Sequence, residues 1–282
     1  MKLVHTVEQW NPLWISHIQK NHRIGLIPTM GALHEGHLDL VRRSLQKTDV
    51  SIVSIFVNPI QFNNPEDFAK YPATLDQDLE KLRNLGVQYV FVPNVKSIYE
   101  SLPQLKMDFG DLERVLEGEF RPGHFNGVGI VVSKLFHLIR PHHAFFGQKD
   151  LQQVAIIKRL VTDLSFQLEL EVVETKRESD GLAMSSRNLR LSPEGRVKAL
   201  LLSKSLNFAK TELLAGQSWL LIREKIQLLF DQEEDCQLEY MELVHPETFQ
   251  IQDQLNSSVK SSICIAAFVG EVRLIDNLPI VA

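Results

Sequence analysis

The stretch Ile24-Gly25-Leu26-Ile27-Pro28-Thr29-Met30-Gly31-Ala32-Leu33-His34-Glu35-Gly36-His37-Leu38 changes its pattern halfway. It begins as a short apolar run, halts at Gly31, and continues into Leu38, Leu40, Val41 and Leu45, which share one face at helical spacing. The reading is a strand, a tight turn and a helix. Downstream, Ser51-Ile52-Val53-Ser54-Ile55-Phe56-Val57 is nearly continuously apolar and β-branched, as in a strand buried on both faces of a parallel sheet, and Asn58-Pro59 stops it. Thr74 to Leu85 places Leu75, Leu79, Leu82 and Leu85 on one helical face ahead of Gly86, and Tyr89-Val90-Phe91-Val92 follows as a strand. The alternation continues through a helix from Val128 to Ile139, a strand at Ala144-Phe145-Phe146, a helix from Leu151 to Leu164 and a strand from Leu168 to Glu174.

Strands alternating with helices predict an α/β fold, a Rossmann-like parallel sheet with helices on both faces. After Asn188 the texture changes to two amphipathic helices near 193–214 and 217–230, a strand from Leu238 to Val244, and a hairpin of Ile263 to Phe268 and Val272 to Ile275 turning at Gly270. This predicts a smaller C-terminal α+β domain. The boundary falls between 176 and 192, and the division adopted is 1–176 and 177–282.

The 282 residues exceed the common length of one domain, roughly 150 residues, which agrees with two units. With 30 Lys and Arg against 35 Asp and Glu, the formal charge is −5 and no basic block stands out, which argues against a nucleic-acid partner. No apolar stretch reaches the roughly 18 residues of a membrane span, and Met1 to Glu8 lacks the apolar core of a signal segment, so a cytoplasmic location is expected. Cys236 and Cys264 are too few for a zinc site or disulfide framework and read as reduced, packed thiols.

Ligands of open parallel sheets sit at the carboxyl ends of the strands, where Thr29-Met30, Asn58 and Gly147 fall. His34, Gly36 and His37 lie between a strand and a helix, facing the anion-favouring end of the helix dipole. Two imidazoles there can donate hydrogen bonds to a phosphate, and Gly36 lets a ligand approach where a Cβ would collide. Taken alone, H-x-G-H is equally a pair of capping or packing histidines. In Gly147-Gln148-Lys149-Asp150 the lysine can neutralise phosphate and the aspartate can accept from ribose hydroxyls; a solvated turn is the plainer alternative. Met184-Ser185-Ser186-Arg187 offers two hydroxyls and a permanent cation, or simply an interdomain linker. Gln61 and Gln153 are neutral amides that can hold a polar acid without pairing ionically. Tyr71-Pro72 and Arg121-Pro122-Gly123-His124-Phe125 are further candidates, with capping or loop structure as the competing reading.

Four segments together carry a resemblance that none carries alone: Pro28 to His37, Val57-Asn58-Pro59-Ile60-Gln61-Phe62, Phe145 to Gln153, and Ser179 to Asn188. In order, and with essentially the whole chain covered, they resemble the pantothenate synthetase (pantoate–β-alanine ligase) family of the HxGH nucleotidyltransferases. The resemblance implies an AMP-forming ligase that activates (R)-pantoate with ATP to a pantoyl adenylate, releases pyrophosphate, and lets β-alanine displace AMP. It implies ATP binding at Met30, Gly31, Ala32, Leu33, His34, Glu35, Gly36 and His37, at Gly147, Gln148, Lys149 and Asp150, at Lys176, and at Met184, Ser185, Ser186 and Arg187. Catalytic roles fall on His37, His34, Lys149 and Arg187, pantoate on Gln61 and Gln153, and β-alanine on Gln61. Mg²⁺ accompanies ATP with no protein ligand set implied, and a cytoplasmic homodimer is expected, its smaller domain closing over the site. Asn63 to Tyr71 is a candidate mobile cover against water.

The chain departs from the family's usual pattern at Gln148, where an acidic residue is common, at Ala73, where arginine is common after Tyr-Pro, and at Lys176, usually apolar. Two alternatives stand beside this reading. One is an HxGH nucleotidyltransferase that keeps the nucleotide in its product, and the other a non-catalytic nucleotide-binding module.

Overall fold

The protein is described by a computed structural model covering residues 1–256 and 258–280. Six strands form one parallel sheet: β1 (Lys2–Val4), β2 (Ile24–Thr29), β3 (Val50–Ile55), β4 (Tyr89–Phe91), β5 (His143–Gly147) and β6 (Glu169–Val173). Their order across the sheet is β1-β4-β3-β2-β5-β6. From β2 the chain steps outward to β3 and β4, then returns to β2's other side for β5 and β6. The direction of winding reverses between β2 and β5, which opens a crevice at their carboxyl ends.

Every residue of β3 is buried, so its continuous apolar run packs on both faces. Leu26 and Ile52 join Trp10, Val128, Leu135 and Ile157 in the core on one face, whereas their neighbours Ile27 and Val53 join Leu38, Val41, Leu79 and Leu82 in the core on the other. This is the two-residue alternation of a strand applied to a sheet covered on both sides. The helices Val7–Ile18, His124–Ile139 and Leu151–Asp163 bring residues to the first core, and Glu35–Lys47 and Leu75–Asn84 to the second.

The remainder of the described chain builds an antiparallel sheet of β7 (Cys236–Val244), β8 (Ser261–Val269) and β9 (Val272–Ile280), with β8 in the middle. Helices Leu200–Leu214 and Trp219–Asp231 pack on it around Leu206, Ile222, Phe230 and Ile265. The predicted single helix over 193–214 is two, Pro193–Lys198 and Leu200–Leu214, meeting at Ala199. Cys236 and Cys264 are both free thiols, and burial pushes the Cys264 pKa up. Among the described residues, no helix is long and apolar enough to cross a membrane.

Two elements at the start of the chain escaped the sequence reading. β1 has only three residues, too few for a periodic signal, and Pro12 inside the helix Val7–Ile18 reads as a breaker. That helix is nonetheless anchored: Trp10 is fully buried and its indole N–H donates to the Ile139 carbonyl at 3.1 Å.

Candidate active site

A cavity opens at the carboxyl ends of β2, β3 and β5, lined among others by Met30, His34, His37, Gln61, Lys149 and Arg187. It forms because the chain after β2 turns sharply into a helix. Gly31 (φ +84°) and Ala32 (φ +50°) are both left-handed, and this aims the N–H groups of Ala32 and Leu33 at the Asp78 carboxylate, each at 2.8 Å. Lys81, one turn along the same helix, donates to the Leu33 carbonyl at 2.6 Å, and the Ser186 hydroxyl donates to the Ala32 carbonyl at 2.9 Å. The turn is therefore held from two distant segments.

His34 caps the following helix: its Nδ1 accepts from the Gly36 N–H at 3.2 Å, while the His34 N–H donates to His37 Nδ1 at 3.4 Å. A neutral imidazole that accepts at Nδ1 carries its proton on Nε2. Both rings thus present an Nε2–H donor, with ring centroids 4.1 Å apart. Burial lowers the His34 pKa to about 4, with the Lys149 charge adding to it; burial and His34 hold His37 well below the usual histidine range. Near neutral pH these are uncharged hydrogen-bond donors. Gly36 serves the cap as well as the cavity, since a Cβ there would meet the His34 ring at 3.0 Å.

After β5, Gln148–Asp150 forms a 3-10 turn that places the Lys149 ammonium 3.8 Å from the Asp150 carboxylate. The turn is braced from the second sheet. Asn277 on β9 is buried, and its Nδ2 donates to the carbonyls of Gln148 (2.9 Å) and Lys149 (2.8 Å). Next to it, the buried Asp276 pairs with Arg177 through bonds of 2.7 and 2.9 Å. No local pattern marks Asn277; its signal is a polar pair, Asp276-Asn277, inside a strand whose other residues are apolar except Arg273.

Gln61 is 8% exposed and locked in place. Its Oε1 accepts from Asn58 Nδ2 at 3.1 Å, leaving its Nε2 on the weak acceptor Met30 Sδ at 3.3 Å. Asn58 is itself fixed by the Tyr99 hydroxyl at 2.9 Å. Beneath Gln61 runs the helix His124–Ile139, which can approach because residue 127 is glycine: a Cβ would lie 2.5 Å from the Ile60 carbonyl oxygen and 2.6 Å from Gln61 Cα. Gln153 lines the same cavity, as does its neighbour Gln152, which is buried and bonds the backbone of Leu112, Val115 and Glu117.

Of the residues singled out from the sequence, Met30, His34, Gly36, His37, Gln61, Gly147, Lys149, Asp150, Gln153, Lys176, Met184, Ser185, Ser186 and Arg187 line the cavity. Gly31, Ala32, Leu33, Glu35 and Gln148 do not: the first three shape the turn, Glu35 pairs with Arg42 at 3.0 Å, and Gln148 contributes its carbonyl to Asn277. The lysine at 176 sends its ammonium to Asp39 at 3.1 Å while its carbonyl accepts from the Met184 N–H. Arg187 binds Asp67 at 2.8 Å, and Arg190 binds the other Asp67 oxygen at 2.7 Å. The expected loop Asn63–Tyr71 contains a short helix, Pro65–Ala69, and is clasped to the site through Asp67 and through Phe62 packed edge-on against Phe68 and Tyr71.

Fold and site together define a Rossmann-like α/β protein with a polar, histidine-lined cleft at the carboxyl ends of its parallel strands, completed by an antiparallel sheet. The family model for pantoate-beta-alanine ligase matches residues 2–279. A pantothenate synthetase of Cytophaga hutchinsonii is 43% identical over 274 residues, covering 93% of both chains. One of Thermoanaerobacter pseudethanolicus is 49% identical over 257 residues, covering 91% of this chain and 90% of that one. The solved pantothenate synthetase of Thermus thermophilus superimposes with a TM-score of 0.92 at 37% identity, covering 100% of both chains. The pantoate-beta-alanine ligase of Francisella tularensis, solved with beta-gamma ATP and beta-alanine, gives 0.82 at 35% identity over 99% of this chain and 97% of that one. The chain belongs to the pantoate–β-alanine ligase family and is a ligase.

Proposed function

We propose that the protein condenses (R)-pantoate with β-alanine at the expense of ATP, through a pantoyl adenylate. The observation that carries this reading is one cavity holding both a phosphate-directed donor set (His34, His37, Lys149) and two neutral amides, Gln61 and Gln153. A pantoate carboxylate oxygen attacks the α-phosphorus, the bond to the β-phosphate bridge breaks, and pyrophosphate leaves. Charge gained by the phosphoryl oxygens meets the two Nε2–H donors, Lys149 and Arg187, so positioning and electrostatics carry the step. Neutral amides suit the acid, because a cation at Gln61 or Gln153 would bind the nucleophile and blunt its attack. In the second step the uncharged β-alanine nitrogen attacks the acyl carbon, the bond to the AMP oxygen breaks, and the amine loses a proton.

Mg²⁺ enters with the triphosphate and would neutralise phosphate charge. Among the lining carboxylates, Glu117 and Asp276 are taken by Arg273 and Arg177 and Asp150 lies beside Lys149, so Glu174 would meet its hydration shell. Ribose at Asp150, adenine beside the Lys176 backbone, closure by residues 177–282, a homodimer and a cytoplasmic location belong to the same proposal and rest on the resemblance.

The deciding experiment is mass analysis of products from ATP, Mg²⁺ and pantoate, with and without β-alanine. Pyrophosphate and an enzyme-held adenylate are expected without the amine, and free AMP with pantothenate once it is added. A product that retains the nucleotide would overturn the reading.

A further inference from the structure

The same cavity is also lined by Glu117, Arg121, His124 and Tyr240, which the proposed pantoate activation does not use. Glu117 is buried there, and its carboxylate is already occupied. Arg273 reaches both oxygens, at 2.7 and 2.9 Å, and the Tyr240 hydroxyl donates to Oε1 at 2.8 Å. Burial alone would raise the Glu117 pKa, but the Arg273 hydrogen bonds and charge hold it down at about 2. Arg121 makes the longest contact in this group, from Nη1 to Glu117 Oε2 at 3.3 Å.

The second partner of Arg121 Nη1 is His124 Nε2, at 3.1 Å. His124 Nδ1 lies 2.8 Å from the Gln61 carbonyl oxygen, so the imidazole must donate there and accept from Arg121. Arg121 is thereby tied through one ring to Gln61. Its Nη2 and Nε have no partner among the described residues, and neither is sealed from open space. The other cations lining the cavity are engaged differently: Lys149 sits in the nucleotide turn beside Asp150, Arg187 is held by Asp67, and Lys176 by Asp39.

Resting on the proposed pantoate–β-alanine reading, we propose that Arg121 receives the carboxylate of the amine substrate and so selects a β-amino acid over a simple amine. A guanidinium with one edge free binds a carboxylate through two parallel N–H bonds, which fixes direction as well as position. The amine, two methylenes away, is then turned back toward the acyl group held beside Gln61. Burial disfavours the Arg121 charge most, Glu117 favours it, and Arg187 and Arg273 oppose it; an incoming carboxylate adds a second anion on the free edge.

The test uses Arg121→Ala and Arg121→Lys in the full chain, with three readouts. ATP–pyrophosphate exchange with pantoate alone should fall at least about tenfold less than the overall reaction with β-alanine. The KM for β-alanine should rise about 30-fold or more in Arg121→Ala, as expected for a lost charged hydrogen-bond pair, with partial rescue in Arg121→Lys. The preference for β-alanine over β-alaninamide should fall at least about tenfold. An unchanged KM, or an intact preference despite a raised KM, overturns the proposal, since a merely structural arginine would not choose between acid and amide. Independently of folding, β-alanine should protect the Arg121 peptide of the wild-type enzyme from phenylglyoxal; no protection overturns it too. Absence of exchange in the wild-type enzyme would instead sink the pantoate-activation reading.

Discussion

At the level of single residues, the two histidines show how a backbone can choose a tautomer. Because Nδ1 of each ring accepts from an N–H of the same turn, His37 offers a donor without needing to be protonated. His37→Ala should reduce pyrophosphate exchange at least about 100-fold with the fold intact, the usual loss when one donor to a developing oxyanion is removed. The pH dependence follows from the same geometry. Since the His34 pKa lies at about 4, below the ordinary 6.5, both rings remain neutral as pH falls through 6.5. Exchange in the wild-type enzyme should therefore show no acid limb centred near 6.5, and a pH–rate profile with one there would assign these rings a protonated role.

Among the elements, the helix His124–Ile139 matters through the space it leaves. Ala is a better helix former than Gly by about 1 kcal/mol, yet Gly127→Ala must push the backbone of Ile60 and Gln61 aside. The expected outcome is a pantoate KM raised about 10-fold or more with the ATP KM little changed, because sub-ångström misplacement of a substrate-holding group is costly. Steady-state kinetics in both substrates checks it; equal effects on the two would mean general disruption. Such a glycine also marks what a sequence can disclose. Ile24 to His37 and Phe145 to Asp150 were legible because glycine, histidine and a change of period punctuate them. Asp78 and Asn277 were not, since they act on backbone groups 45 and 128 residues away and carry no local pattern. The clasp of Asp67 on Arg187 and Arg190 was hidden for the same reason, as pairing across 120 residues leaves no trace in spacing.

For the molecule as a whole, the buried His124 and the half-buried His34, both neutral, make stability depend on acidity. His124 is held at about 3, chiefly by burial and then by the Arg121 charge, and His34 at about 4. Between pH 6.5 and those values the unfolded chain binds protons that the folded one refuses, so stability rises with pH across that window and is lost as pH falls through it. At pH 5 the loss relative to pH 7 is about 2 kcal/mol for each of these two rings. Thermal melts should show a fall in Tm from pH 7 to pH 5 that shrinks by roughly 4–8 °C in His124→Gln. An equal fall in that variant would remove His124 from the account.

The brace from Asn277 to the Gln148–Asp150 turn also sets a schedule. A ribosome adding roughly 5–20 residues each second reaches Asn277 many seconds after Lys149, because 128 residues lie between them. In that interval the parallel strands can already be complete, while the carbonyls of Gln148 and Lys149 have no Asn277 to receive. A nascent chain at that stage can own a folded sheet and still lack a finished nucleotide turn, so competence in this protein arrives later than shape.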